Sequence, residues 1–470
     1  MNVPCYRSYD GLSCFMITDC SACPQAQLEV YDYAADCFIS RLPSELLDEI
    51  FSWSRPSVPS FRTSDSPLLL TQVCSWWRDH AIAQSTLWDT IYLPSPLEGL
   101  SNGIIELCRL WLERSKQCPL SVDFHLTSDY QPWSVSDEHF NNMRRIVKFL
   151  VPHAHRITRL LRIFPCFLLE ELRLDDMINL DDLFICDTAD SKSGHARPGA
   201  RGFAVPSRLR CLSLRQTNFN LEAFTSLEHV VHLDLWQLQG GGQMSVGHCL
   251  QLLQAMPWIE SCTLDVAMGS YKPEDLLQEV SMPRLTFFFI SWDWLVDVGP
   301  ILDRLRTPNL RRLGLRGPPP VRRQWSNLKN FLERCRPSLS QLSIKEIGFA
   351  DIQLLACLSL VPTLTNLSLS HCSLNNGFIK ALRLNDRIPI MQNVLPFLDY
   401  LSLEACVSFD HKELVRMLST RGKLDCGHRL RGVKLTLCQM MSDAHRAEVE
   451  SCGIEDVILR IYKSPRRQTM

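Results

Sequence analysis

The feature that most constrains this chain is an apolar triplet, Leu-x-x-Leu-x-Leu, that keeps returning. Leu169, Leu172 and Leu174 open the series. Leu209, Leu212, Leu214 and Val230, Leu233, Leu235 follow, then the looser Ile259, Cys262, Leu264 and the aromatic Leu285, Phe288, Ile290. Leu310, Leu313, Leu315 and Leu339, Leu342, Ile344 lead to the clearest units, Leu364, Leu367, Leu369 and Leu398, Leu401, Leu403. Leu430, Val433, Leu435 and Ile454, Val457, Leu459 close the array. From Leu209 onward the starts lie between 21 and 34 residues apart. A unit of that size cannot enclose a core alone. Stacked as layers, such units bury one continuous apolar spine.

Between the triplets the periodicity changes from two to that of a helix. Gly247–Ala255, Val298–Leu305, Leu328–Cys335, Asp351–Leu360 and Lys412–Ser419 each carry apolar residues at helical spacing. Pro-marked corners deliver the next strand: Pro283-Arg284-Leu285, Pro308-Asn309-Leu310, Pro337-Ser338-Leu339 and Pro362-Thr363-Leu364. Strand, corner and helix recur together, which predicts an α/β solenoid with parallel strands on the concave face and helices outside. Strand side chains alternate, so the residues between the leucines line that inner face. Most are small or polar. The exceptions are Trp236, Phe287, Phe289 and Tyr400, with Arg312 and Arg316 among them. Aromatic residues and Arg dominate binding hot spots, so these six are the candidate substrate-binding residues. A register slip of one residue, or a covering helix, would instead hide Phe287 and Phe289. In the first unit the same rule places Glu171, Arg173 and Asp175 on the inner face.

The N-terminal part reads differently. Leu42-Pro43 starts a helix, with φ preset by the proline, and Glu45, Asp48 and Glu49 favour its positive end. Leu42, Leu46, Leu47, Ile50 and Phe51 recur at three- and four-residue spacing, so one face is apolar. A second helix, Leu68–Ile82, sets Leu69, Val73, Trp77 and Ala81 on one stripe, with Trp76 pointing elsewhere. Ser52 to Pro67, rich in Pro and Ser, is a loop between them.

In order, these residues give Leu-Pro, a Glu-Leu-Leu helix ending Ile-Phe, a Val-Cys-x-x-Trp-Arg helix and a final Leu-Trp at Leu87-Trp88. This resembles the F-box, and most closely the F-box-like proteins of a large fungal family, which carry a similar expansion between the first two helices. Met1 to Asp36 lacks the upstream helix that members often have. The resemblance implies docking on the Skp adaptor, and through it on cullin, by Leu42, Pro43, Leu46, Leu47, Ile50, Phe51, Val73, Trp76, Trp77 and Trp88. The repeats resemble the cysteine-containing class of leucine-rich repeats, with Cys372, Cys406 and Cys438 at the bend after the strand. Those thiols are then buried structural groups. The expected organisation is a poorly structured segment 1–36, an all-α F-box-like domain 37–94 with the insertion 52–67, and a connecting segment 95–163. It has a helix around Ile104–Arg114 and a strand at Leu120, Val122 and Phe124. A solenoid 164–462 with an exposed insertion 187–206 and a basic tail 463–470 complete it.

Several classes are disfavoured. Forty-nine basic against fifty-one acidic residues give a formal net charge of −2, which argues against bulk attraction to nucleic acid or membrane. Twenty cysteines lie scattered, without framework spacing or a secretory signal, which favours reduced thiols in a cytoplasmic or nuclear setting. Cys20-x-x-Cys23 is half a zinc motif without its second pair, and His153-x-His155 lacks a third ligand. Gly240-Gly241-Gly242 lacks the Lys-Ser/Thr of a phosphate loop, and no nucleophile elbow or dinucleotide fingerprint is present. We therefore expect no catalytic residues, metal or cofactor. Three readings follow: a substrate receptor of a ubiquitin ligase, an interaction module that binds an adaptor without assembling a ligase, and an enzyme with a site on the repeats. The first is favoured, with a protein substrate on the repeats.

Overall fold

A computed structural model describes residues 42–56, 60–94, 102–125, 137–161, 171–172, 174–186, 206–215, 227–237, 244–267, 278–293, 295–318, 326–406, 408–422, 429–438 and 443–460. Residues 1–36 with Cys20 and Cys23, nearly all of the 187–206 insertion, Gly240 to Gly242 and the tail 463–470 lie outside them. The chain divides into two compact units, Met1–Ser54 and Arg55–Met470.

In the first unit the described element is helix α1, Ser44–Trp53. Pro43 occupies the residue before its first turn and Glu45 lies in that turn. The apolar residues of this helix share one side of it, but only half of that side is covered. Leu47 and Phe51 are fully buried, whereas Leu46, Ile50 and Trp53 stand exposed. Four-residue spacing explains the split: Leu47 and Phe51 form one row along the helix, Leu46 and Ile50 the adjacent one.

The second unit is built on a 14-stranded parallel sheet. Its strands are β1 (Thr90–Pro94), β2 (Leu120–His125), β3 (Ile157–Leu161), β4 (Asp182–Cys186), β5 (Cys211–Arg215), β6 (His232–Trp236) and β7 (Ser261–Val266), then β9 (Phe287–Trp292), β11 (Arg312–Arg316), β12 (Gln341–Lys345), β13 (Asn366–Ser370), β14 (Tyr400–Glu404), β15 (Gly432–Thr436) and β16 (Asp456–Arg460). They stand in chain order across the sheet, each parallel to its neighbours. Between them, β8 (Val280–Ser281) and β10 (Leu305–Arg306) make a separate two-stranded parallel pair. Parallel neighbours require long crossovers. Here many of these are helices, among them Val246–Ala255, Gly299–Arg304, Asn327–Cys335, Asp351–Leu358, Asn376–Ala381, His411–Gly422 and Asp443–Glu450, and successive helices pack on one another.

The triplets are the reason for the register. Leu313, Leu342, Leu367, Leu401, Val433 and Val457 are partners across successive strands, and the first five are at most 2% exposed. Most triplets enter through a turn at their first residue: the N–H of Leu209, Val230, Leu285, Leu310, Leu364 and Leu398 donates to the carbonyl three residues earlier. Five strands then end on a sharp bend. Gln237, Glu346, His371, Ala405 and Leu437, each one residue past its strand, take left-handed φ between 49° and 63°. The N–H groups of Glu346, His371, Ala405 and Leu437 carry the ladder on, donating to the carbonyls of Ser370, Glu404, Thr436 and Arg460, while that of Gln237 donates to the Asp265 carboxylate. The thiols follow suit. Cys372, Cys406 and Cys438 donate to the carbonyls of Ile344, Leu369 and Leu403, each on the preceding strand.

Two expectations are corrected. Leu169 lies outside the described residues, and Leu172 and Leu174 do not belong to a strand: Leu174–Asp176 is a short 3-10 turn, and the strand is β4, led by Leu180, Leu183 and Ile185. That triplet has the same spacing but sits among acidic residues, Asp181 and Asp182, which disguise it. Arg173 lies outside the described residues, and Asp175 belongs to the turn and not to a strand. Strands β1 to β3 precede residue 164 and stand in the same sheet. The second correction concerns Leu68–Ile82, which is two helices, α2 (Leu70–Val73) and α3 (Ser75–Ala83), broken at the extended Cys74. The Cys74 sulfur caps α3 by accepting from the Trp77 N–H at 3.4 Å. The break rotates the stripe apart: Leu69 and Val73 are exposed, Ala81 is buried.

Candidate functional site

The open face of the sheet is built from the residues between the leucines. At its β3–β6 end this face is neutralised internally. Arg159 pairs with Asp182 on the next strand at 3.2 Å, and Arg215 pairs with Asp234 at 2.6 Å while Ser213 donates to the same carboxylate. Burial pushes the Asp182 carboxyl above its usual range, against the pull of Arg159.

From β9 onward the character changes, and five of the six candidates lie here, with Trp236 at the end of β6 beside them. Phe288 and Ile290 are fully buried while Phe287 and Phe289 lie half-buried on the opposite face. The register is therefore the expected one, and the slip that would hide the two rings does not occur. Phe289 packs on Trp236, ring centres 5.4 Å apart. The Arg316 guanidinium covers the Trp236 ring at 5.7 Å and that of Arg312 covers Phe287 at 4.9 Å. Tyr400 stands farther along the sheet, on β14.

Two glycines make the face hospitable to rings. A Cβ on Gly314 would overlap the Phe289 ring, and one on Gly432 would meet two Tyr400 ring carbons at 2.5 Å. Both glycines are cross-strand neighbours of the aromatic residue they receive. The missing side chain lets each ring lie flat on the adjacent strand.

A hollow of about 450 Å³ runs along this face from β9 to β16. Phe287, Phe289 and Arg312 form one end and Lys434, Asp456 and Ile458 the other; Ser343, Ser368 and Ser402 make the floor beside Tyr400. Four of the six candidates line it. Trp236 and Arg316 stand outside it as the flank behind Phe289. Sequence reasoning missed Asp456 and Ile458, because the last triplet was read only for its core side, and missed the two glycine seats, which carry no side-chain signal.

The candidate adaptor-binding residues divide by exposure. In the first unit Pro43, Leu46 and Ile50 are exposed and Leu42 half-buried, while Leu47 and Phe51 are buried. In the second, Val73 and Trp76 are exposed, Trp77 is half-buried, and Trp88 is 0% exposed. Trp88 is a core residue: its indole N–H donates to the Ala81 carbonyl at 2.8 Å, its ring meets Trp111 edge-on at 4.7 Å, and Arg114 lies over it at 4.4 Å. Leu47, Phe51 and Trp88 therefore hold the local structure and do not present a surface. Six of the fourteen large apolar side chains exposed among the described residues fall in one short stretch: Leu46, Ile50, Trp53, Leu69, Val73 and Trp76.

No group of three or more His, Cys, Asp or Glu among the described residues could hold a metal ion, and no helix among them is long and apolar enough to cross a membrane. Cys372 and Cys406 are buried, and burial pushes their thiols up to about 12 and about 11. Such groups are neutral packing elements at pH 7. Comparison with protein-family models and with curated proteins returns no match for this chain.

Proposed function

We propose that this protein is the substrate-recognition subunit of a Skp–cullin–F-box ubiquitin ligase. In this reading the segment 37–94 is an F-box that holds the Skp adaptor, cullin joins through the adaptor, and the leucine-rich repeats hold a protein substrate on their open face. The chain contributes proximity: it holds substrate lysines near a ubiquitin donor supplied by other subunits. The observation that supports this reading is the density of exposed apolar side chains between Leu46 and Trp76, in a chain whose formal net charge is only −2. Exposed apolar side chains at this density mark docking segments, one on α1 and one on α2 and α3, and both coincide with residues that resemble the F-box.

Co-purification tests it. The full chain and its Ile50→Arg/Trp76→Ala variant are expressed with a tag, and the captured adaptor and cullin are measured. Both positions are exposed, so the variant keeps its fold. Capture of both partners by wild type and loss of both by the variant is the expected result. Adaptor without cullin would make the chain a non-ligase interaction module. Capture of neither would remove the F-box reading.

A further inference from the structure

The last strand, β16, is the outermost strand of the sheet at its C-terminal end among the described residues. It reads Asp456-Val457-Ile458-Leu459-Arg460. Its core-facing residues are less covered than their neighbours: Val433 and Leu435 on β15 are 2% exposed, whereas Val457 and Leu459 are half-buried and Ile458 on the open face is 41% exposed. The opposite end of the sheet differs, since Ile91 and Leu93 on β1 are fully buried and that strand ends in Pro94, which has no N–H to offer.

Among the described residues the backbone of β16 has one side without a strand partner. The Asp456 N–H donates to the Arg431 carbonyl and the Arg460 carbonyl accepts from Leu437, so both residues point their peptide groups at β15. Alternation along a parallel ladder then turns the N–H and C=O of Val457 and Leu459 outward. Neither Asp456 nor Arg460 forms an ion pair among the described residues.

We propose that β16 is a self-association edge, and that its occupant is the β16 of a second copy of this chain, antiparallel, centred on Ile458. An antiparallel pair needs its outward-pointing residues opposite one another. Three short registers satisfy that. One sets Val457 against Val457 and one sets Leu459 against Leu459; both leave the two charged ends unpaired. The third sets Val457 against the second copy's Leu459, so each exchanges both of its backbone hydrogen bonds. It also sets Ile458 on Ile458 and brings Asp456 opposite Arg460 at both ends. The segment is thus complementary to itself in backbone, in apolar contact and in charge. The resulting interface is isologous and closes as a dimer without further growth. It carries the parallel sheet of one copy into that of the other and covers Val457 and Leu459. Asp456 and Ile458 also line the end of the hollow, so pairing joins the two open faces at the dyad.

Sedimentation of the full chain at micromolar concentration is the test. Wild type is expected at about twice the 53.9 kDa chain mass. Asp456→Arg alone and Arg460→Asp alone each set like charges opposite one another, and each is expected to sediment at half the wild-type mass. An equimolar mixture of those two variants restores the dimer mass, because the two bases of one chain then face the two acids of the other. Misfolding cannot produce that recovery. A monomeric wild type overturns the proposal. So does a dimer indifferent to both reversals, a mixture that stays monomeric, or association seen only after residues 461–470 are removed, which would make the chain's own continuation the occupant.

Discussion

Arg421 is fully buried, yet it is charged, and its replacement gives the sharpest test of how the last repeats are held. Its guanidinium donates to three carbonyls of the segment that leads into β14: Nε to Leu382 at 2.7 Å, Nη1 to Leu395 at 3.0 Å and Nη2 to Val394 at 2.8 Å. Charge-assisted bonds of this kind contribute roughly 2 kcal/mol each, about 6 kcal/mol together. Burial opposes them by lowering the Arg421 pKa from 12.5 to about 10, a cost of about 3 kcal/mol. The group remains protonated at neutral pH. Arg421→Met removes both contributions and leaves the carbonyls unsatisfied, so a net loss of about 3 kcal/mol is expected, within the range for breaking a buried charged contact. Because repeat arrays open in parts, the assay is hydrogen exchange resolved to peptides. Amides between Leu382 and Leu395 should lose protection by about a hundredfold, while β5 and β6 stay unchanged. Loss below tenfold, or loss spread evenly over the sheet, would refute the stapling role.

The remaining predictions address packing, thiols and the open face. Trp88→Ala should cost about 3–5 kcal/mol, as for any fully buried large ring, whereas Trp76→Ala should stay within about 0.5 kcal/mol; urea unfolding of the two variants separates a core tryptophan from a surface one. At pH 8 in the folded protein, exposed Cys74 should react with a maleimide while Cys372 and Cys406 do not, read by mass spectrometry. These two thiols ionise at about 12 and about 11 when folded but from 9.0 when unfolded. The unfolded chain therefore releases protons first as pH rises, so their contribution to stability is complete below pH 9 and is lost between there and pH 11–12, which unfolding midpoints across that range will show. Gly432→Ala should displace the Tyr400 ring at a cost of about 1–3 kcal/mol, and should change the set of bound partners in the same direction as Tyr400→Ala.

Much of this fold is written in the spacing of its leucines. From Leu209 to Leu459 every triplet corresponds to a strand, including the two loosest, at Cys262 and Phe288, because a parallel sheet tolerates any residue that fills the same volume in the spine. The Leu180, Leu183, Ile185 unit escaped because Asp181 and Asp182 stand at the start of its strand, and the competing triplet has correct spacing although its last leucine, Leu174, folds as turn. Helix α3 was set off from α2 by Cys74, whose extended backbone is invisible to a periodicity of 3.6. The aromatic and arginine cluster was legible because alternation fixes which face each residue takes. Its seats were not, since a glycine shows no preference until a neighbouring ring is found lying on it. The division of the docking segment into exposed Leu46, Ile50 and Trp76 and buried Leu47, Phe51 and Trp88 likewise depends on burial, which motif order alone does not carry.

The most direct test of the central claim is hydrogen exchange of the full chain with and without a purified Skp adaptor bound to cullin. The proposed function predicts protection in peptides covering Leu46–Trp53 and Leu69–Trp76, with none on the open face between Phe287 and Lys434. Protection of the open face with no change around Ile50 and Trp76, or no protection at saturating adaptor, would contradict it.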